Sequence, residues 1–228
     1  NIGGDSTIES AGHVKLIAPS IDVGSNGLEP AAMGDKLVKL IKDMIDAFNE
    51  YGADHPLVAK GKSSYQKGDE QFLNDHKLVP LWKTIQECID VYTQHLGVDY
   101  TLLSTSWFNS LFREGSVDAH RHERSIISGA YYPYVDQGSS PIVFRNPNQV
   151  NFMNYSPMGL TDYNRYELEC FPKTGLLVLF PSWMEHRVIP NQSEKRYTVS
   201  FNTIRHSDRA AFMNIRDYRI DPHESTDS

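Results

Sequence analysis

The chain has 228 residues, 39% of them hydrophobic and 22% charged, the balance of a folded protein with a real core and not of a disordered segment. Its 22 basic and 29 acidic residues give a net charge of −7, and no basic run exceeds a pair, which argues against a nucleic-acid footprint. Two cysteines, Cys88 and Cys170, exclude a disulfide framework or zinc cluster; with no signal-like start and no apolar run of membrane-spanning length, the expectation is a cytoplasmic protein without membrane contact.

In chain order, residues 1–11 are small and polar and predict little order. Val14 to Pro19 predicts a short strand stopped by proline, and 20–30 a loop. Leu37, Leu40, Ile41, Met44, Ile45 and Phe48 follow helical spacing and predict an amphipathic helix from about Pro30 to Gly52. The polar interval 54–75 predicts a segment folding over the mouth of a site. Its Gly61-Lys62-Ser63 triplet lacks the earlier glycine of a phosphate loop, since position 56 is proline, and no apolar strand leads into it, so a nucleotide site is rejected. Leu81, Ile85, Ile89, Tyr92 and Leu96 predict a second helix, closed by Gly97.

From Tyr100 onward the texture changes to short strand-like runs at about 101–112, 125–135, 141–145, 166–171, 175–181 and 196–204. Their spacing predicts an antiparallel sandwich or barrel. Two helices followed by many strands predict a mainly β, α+β arrangement with the helices packed on one sheet. The expected division is a strand and supporting helices at 1–99, a β core at 100–206 and a C-terminal extension at 207–228 with an apolar patch from Phe212 to Ile220. Residues 146–162 read as a long loop of the kind that serves as a lid.

The most informative run is His120-Arg121-His122. Two imidazoles two positions apart on extended chain point to one side, so both Nε2 atoms can converge on one ion. Taken alone, such a pair is more often two surface residues. A third imidazole, His186, follows the apolar run Gly175 to Phe180, which reads as a buried strand ending at a site. Three ligands from two strands leave positions open on an octahedral metal. Further on, Arg196, Thr198, Ser200 and Asn202 alternate with apolar residues and share one polar face. That row can line a cavity in which the Arg196 fork meets a carboxylate. The remaining histidines, His13, His55, His76, His95, His206 and His223, are expected at the surface.

Together with Ser128-Gly-Ala-Tyr-Tyr132, Phe144-Arg-Asn-Pro147, Gly175 to His186 and Arg196-x-Thr198, these motifs resemble the iron(II)/2-oxoglutarate oxygenases of phages and bacteria, over roughly Ser104 to Ile204. In that family an Arg or Lys about ten positions after the distal His binds the far carboxylate of 2-oxoglutarate, and here the difference is 196 − 186 = 10. The resemblance implies a double-stranded β-helix, a cupin-like distorted jelly roll. It implies Fe(II) on His120, His122 and His186. The same resemblance places 2-oxoglutarate on Arg196 and Thr198 with Tyr132 and Ser128 nearby, and makes Asn109 and Asn202 polar wall residues. The implied reaction uses O2 to couple decarboxylation of 2-oxoglutarate to succinate with oxidation of a substrate C–H bond, in a small-molecule or aminoacyl substrate.

One departure stands out. The wider superfamily pairs His with Asp or Glu two positions on, whereas position 122 is His and position 124 is Arg. Glu123, the nearest carboxylate, points away by strand parity, so three imidazoles are expected. Two alternatives remain. Gly115, His120, His122, Gly129, Pro181, His186 and Asn191 loosely resemble the two cupin motifs, which would suit a three-His dioxygenase without 2-oxoglutarate, though the later Glu of the first motif is missing. The barrel would also serve as a non-catalytic ligand-binding module, which leaves Arg196 unexplained. The sequence leaves the oligomeric state open, and a homodimer is compatible with it.

Overall fold

The computed structural model describes residues 8–11, 14–17, 30–51, 53–65, 71–147 and 166–208. Helix α1 (Pro30–Tyr51) buries Leu37, Ile41 and Ile45, one stripe at helical spacing. Helix α2 (Val79–Leu96) carries proline in its first turn, where a missing N–H costs nothing. It ends at Gly97, whose φ of 65° permits the left-handed cap in which the Val98 N–H donates to Thr93 O at 3.2 Å. Its buried Gln86 donates to Thr101 O at 2.8 Å and accepts from the Leu103 N–H at 2.9 Å, satisfying main-chain groups on the first long strand.

Among the described residues eleven strands follow in chain order: β1 (Ile8–Ala11), β2 (Val14–Ile17), β3 (Ala53–His55), β4 (Val58–Ser63), β5 (Thr101–His120), β6 (Ile127–Val135), β7 (Ile142–Arg145), β8 (Glu167–Cys170), β9 (Leu177–Pro181), β10 (His186–Val188) and β11 (Arg196–Arg205). They form one antiparallel sheet in the order β1-β2-β9-β6-β11-β5-β10-β7-β8, with the β3–β4 hairpin added to β5. Strand β5 runs beside β11 from Thr101 to Leu111, then meets β10 at Val117 and His120. Between those partners lies a bulge where Glu114 takes a φ of 60°, and the strand turns from one wall to the other. The result is a curled, mainly β molecule of the double-stranded β-helix kind.

Two apolar layers flank β6, β9 and β11. Outward residues such as Phe108, Tyr131, Leu179, Val199 and Phe201 pack with both helices, as expected for helices on one sheet. Inward residues Ala130, Tyr132, Phe144, Val178, Phe180 and Met184 close the space between the walls.

Both helices and β2 fall where periodicity predicts them. Five strands depart from the expectation. Ile8–Ala11, expected to lack order, pairs with β2, and the β3–β4 hairpin occupies part of the polar interval. The strand predicted for 101–112 continues to His120, and His186–Val188 pairs on both sides. The Gly61-Lys62-Ser63 triplet is strand, not a phosphate loop. The loop predicted for 146–162 falls largely outside the described residues, as do the apolar patch of the tail, His13 and His223.

Gly129 of β6 faces Phe201, and a Cβ there would lie 2.2 Å from a ring carbon. Gly129→Ala is therefore expected to destabilise the fold by about 1–3 kcal/mol through overpacking. The midpoint of urea unfolding measures it; an unchanged midpoint would mean the β6–β11 contact is looser than this geometry.

Candidate metal and cosubstrate site

His120 ends β5 and His186 opens β10, and the two face each other in the sheet register. His122 lies two residues past the strand end, where its N–H donates to Ser182 O at 3.0 Å. Their ring centroids are 4.4 to 5.1 Å apart, and one nitrogen from each lies within 4.8 Å of the others. The His122 and His186 Nε2 atoms are 3.3 Å apart.

Hydrogen bonding fixes which nitrogens are free. His120 Nδ1 lies 2.8 Å from Asp118 O, and His186 Nδ1 lies 3.0 Å from Met184 O. A carbonyl only accepts, so each Nδ1 carries the proton and each Nε2 keeps its lone pair for a metal. Burial pushes His122 down to about 3, and the neighbouring His120 adds to the effect. His186 is held well below its ordinary range, first by burial, then by His120 and His122, against the opposing bond to Met184. Both are neutral imidazoles at pH 7, the form that ligates. Glu123 is exposed and lies outside the cluster, so the converging donors are three nitrogens, a set suited to a divalent transition metal such as iron.

A second constellation lies deeper. Arg196 is 2% exposed. Its Nε donates to Ser140 O at 3.1 Å, one terminal nitrogen to Thr198 Oγ1 at 3.1 Å and the other to Tyr132 OH at 3.2 Å. The guanidinium carbon sits 5.0 Å from the centre of the Tyr132 ring. Burial raises the Tyr132 phenol to about 12, so it stays protonated; burial lowers the Arg196 guanidinium from its ordinary value. Among the described residues no carboxylate pairs with this cation. A buried charge without a counter-ion is costly, and Arg196 with Thr198 beside it has the chemistry to receive an anion.

One cavity of about 290 Å³ joins the two groups. His120, His122, His186, Arg196, Thr198, Tyr132, Asn109 and Asn202 all line it. Ser128 shares the inward face of β6 but not the lining. Its hydroxyl donates to Asn202 Oδ1 at 2.8 Å and lies 2.8 Å from Ser182 Oγ, so it orients Asn202. Three lining residues carry no sequence signal of their own. The Trp107 ring lies tilted 5.7 Å from that of His122, Tyr65 lies 5.0 Å from Trp107, and His55 lies 5.8 Å from Tyr65. His55, expected at the surface, is half-buried; the Leu57 N–H donates to its Nδ1 at 3.1 Å, and burial, then His120, lowers its pKa. His95 and His206 are exposed as expected.

Residues 105–202 match a family model described as "Putative 2OG-Fe(II) oxygenase". Over this core the chain is similar to that family. The match encloses all three histidines, Arg196 and Thr198, and members of the family use Fe(II), 2-oxoglutarate and O2, so the chain is an oxidoreductase. Among solved structures it is similar to a prolyl-4-hydroxylase from Pseudomonas putida, with 12% identity, a TM-score of 0.52, and coverage of 75% of this chain and 87% of that one. It is also similar to HygX from Streptomyces hygroscopicus with nickel and 2-oxoglutarate bound, with 8% identity, a TM-score of 0.53, and coverage of 85% and 83%. At these identities the likeness is one of fold. No curated protein matches the sequence. No helix among the described residues is long and apolar enough to cross a membrane.

Metal analysis of variants checks the three-nitrogen assignment. His186→Ala and His122→Ala are expected to lose bound iron, while Glu123→Gln keeps it. The reverse pattern, with iron lost from Glu123→Gln and retained in His122→Ala, would return the centre to a histidine-and-carboxylate set.

Proposed function

We propose that the protein is a 2-oxoglutarate-dependent hydroxylase of a small-molecule or aminoacyl substrate, acting in the cytoplasm on a soluble partner and not on nucleic acid. The observation that carries this reading is Arg196, a buried guanidinium with no carboxylate partner among the described residues, opening into the same cavity as the three histidines. A 2-oxoglutarate molecule has two ends to satisfy, and the cavity offers a receptor for each.

In this reading His120, His122 and His186 hold Fe(II) through Nε2. Arg196 and Thr198 bind the far carboxylate, with the Tyr132 hydroxyl beside them. Asn109, whose Nδ2 lies 3.4 Å from Ser200 Oγ, and Asn202, oriented by Ser128, present polar edges along the wall between. When bound, iron with 2-oxoglutarate and O2 would supply the oxidising power, with succinate and CO2 released and one oxygen atom inserted into a substrate C–H bond. The protein's part is geometry and exclusion of water. Phe180 and Ala130 make the floor apolar, while Trp107, Tyr65 and His55 line the side toward the β3–β4 hairpin, where the substrate would enter.

The three-imidazole set also favours a second reading, a cupin-type dioxygenase that needs no 2-oxoglutarate. Arg196 separates the two. Arg196→Leu should forfeit roughly 3–5 kcal/mol of 2-oxoglutarate binding, the range for breaking a buried charged pair, with iron content intact. Arg196→Lys should be intermediate, because an ammonium keeps the charge and loses the planar two-point contact. Succinate release from 2-oxoglutarate measures both, and substrate turnover without any 2-oxoglutarate would replace this reading with the cupin one.

A further inference from the structure

The two segments that carry the ligands meet twice. On the cavity side His120 and His122 face His186. The residues next to these in the chain, Arg121 and Glu185, meet as well. Arg121 donates to Glu185 Oε2 at 3.2 Å, and the other oxygen of that carboxylate pairs with Arg145 of β7, the strand on the far side of β10. The Arg145 N–H also donates to Glu185 O at 2.9 Å. The Glu185 side chain is 21% exposed, against 62% for Arg121.

The need for such a contact lies at His122. It sits beyond the end of β5, in a turn where Arg124 takes a φ of 59°. Its main-chain N–H is anchored to Ser182 O and not to a strand neighbour. His120 and His186, by contrast, are held in a ladder. A turn carrying a ligand at its second residue must be kept from swinging outward, and Arg121 is the residue directly before that ligand.

We infer that Glu185 is a positioning residue of the metal centre. Its carboxylate fastens Arg121, and with it the turn that carries His122, to the strand that begins with His186. It does so across the same seam that the metal would close. The carboxylate is not one of the converging donors. An isolated exposed ion pair contributes little, but this carboxylate is mostly shielded and is shared by two guanidiniums on different segments. The inference rests on the reading of the three histidines as metal ligands.

Anaerobic titration of the full chain with Co(II), followed by visible d–d absorbance, tests it without turnover. Glu185→Gln is expected to weaken Co(II) binding about tenfold, the lower end for groups that orient a ligand from behind, and to alter the band shape. Arg121→Gln, at an exposed position tolerant of change, should do the same. The double variant should lose little more than either alone, since both remove one contact, and Arg121→Lys should recover most of the affinity. A carboxylate that serves only stability would lower the unfolding temperature of the metal-free protein and leave Co(II) affinity and spectrum unchanged; that result, or additive losses in the double variant, overturns the inference. Failure of the unaltered protein to bind one Co(II) per chain would instead sink the metal reading, and this inference with it.

Discussion

Strand β11 lies between β5 and β6 and serves both of the spaces that matter. Tyr197, Val199 and Phe201 enter the layer beneath the helices, while Arg196, Thr198, Ser200 and Asn202 enter the cavity. A slip of one residue would exchange the two sets, placing three large apolar side chains in the cavity and a guanidinium in the core. The register that puts Arg196 and Thr198 in the cavity is thereby enforced by hydrophobic burial, several times over, and does not depend on any ligand. The Tyr197 hydroxyl donates to Asp46 of α1, so the helix layer holds the same strand by a polar contact as well.

This is also why β11 was the most legible part of the site. Its two faces differ in chemistry at every position, so a period of two can be read directly from the letters. The helices were legible for the same reason at a period of 3.6. Strand β5 beyond Phe112 was not: Arg113-Glu114-Gly115 breaks the alternation, because the bulge that turns the strand leaves successive residues on neither face in a regular way. The β3–β4 hairpin was equally opaque. Its sequence, with Lys60, Gly61 and Lys62, has the polarity of a loop. It becomes strand because the edge of β5 supplies partners, and Gly61 comes so close to Ser110 O that a Cβ would lie 2.5 Å away. Such pairing belongs to the tertiary structure and leaves little trace in local pattern. Parity gives the face on which Ser128 lies but not that its hydroxyl is engaged by Asn202 and Ser182.

The site itself is assembled where regular structure stops. His120 is the last residue of one strand, His122 lies in the turn after it, and His186 is the first residue of another. Strand ends offer side chains that converge without a neighbour in the ladder above them, and the Phe144 and Phe180 rings beside His186 limit how far that imidazole can tilt. His186 packs 4.7 Å from the Phe180 ring centre and 5.9 Å from that of Phe144. Three nitrogen donors with no carboxylate among them would leave the charge of a divalent ion to be balanced by whatever anion joined it.

The bonds that orient His120 and His186 run to main-chain oxygens of Asp118 and Met184, each two residues earlier in the chain. No side chain takes part in either. Substitution at 118 or 184 leaves these acceptors in place, so the tautomer of each ring is insulated from mutation of its orienting residue. The exposure to change is displaced elsewhere, to whatever bends the backbone. At Gly115, where a Cβ would meet Lys60 O at 2.6 Å, a single added methyl group would shift the path of β5 before it delivers its histidines. Sequence drift close to the ligands is therefore cheaper for this centre than drift at a glycine five residues away.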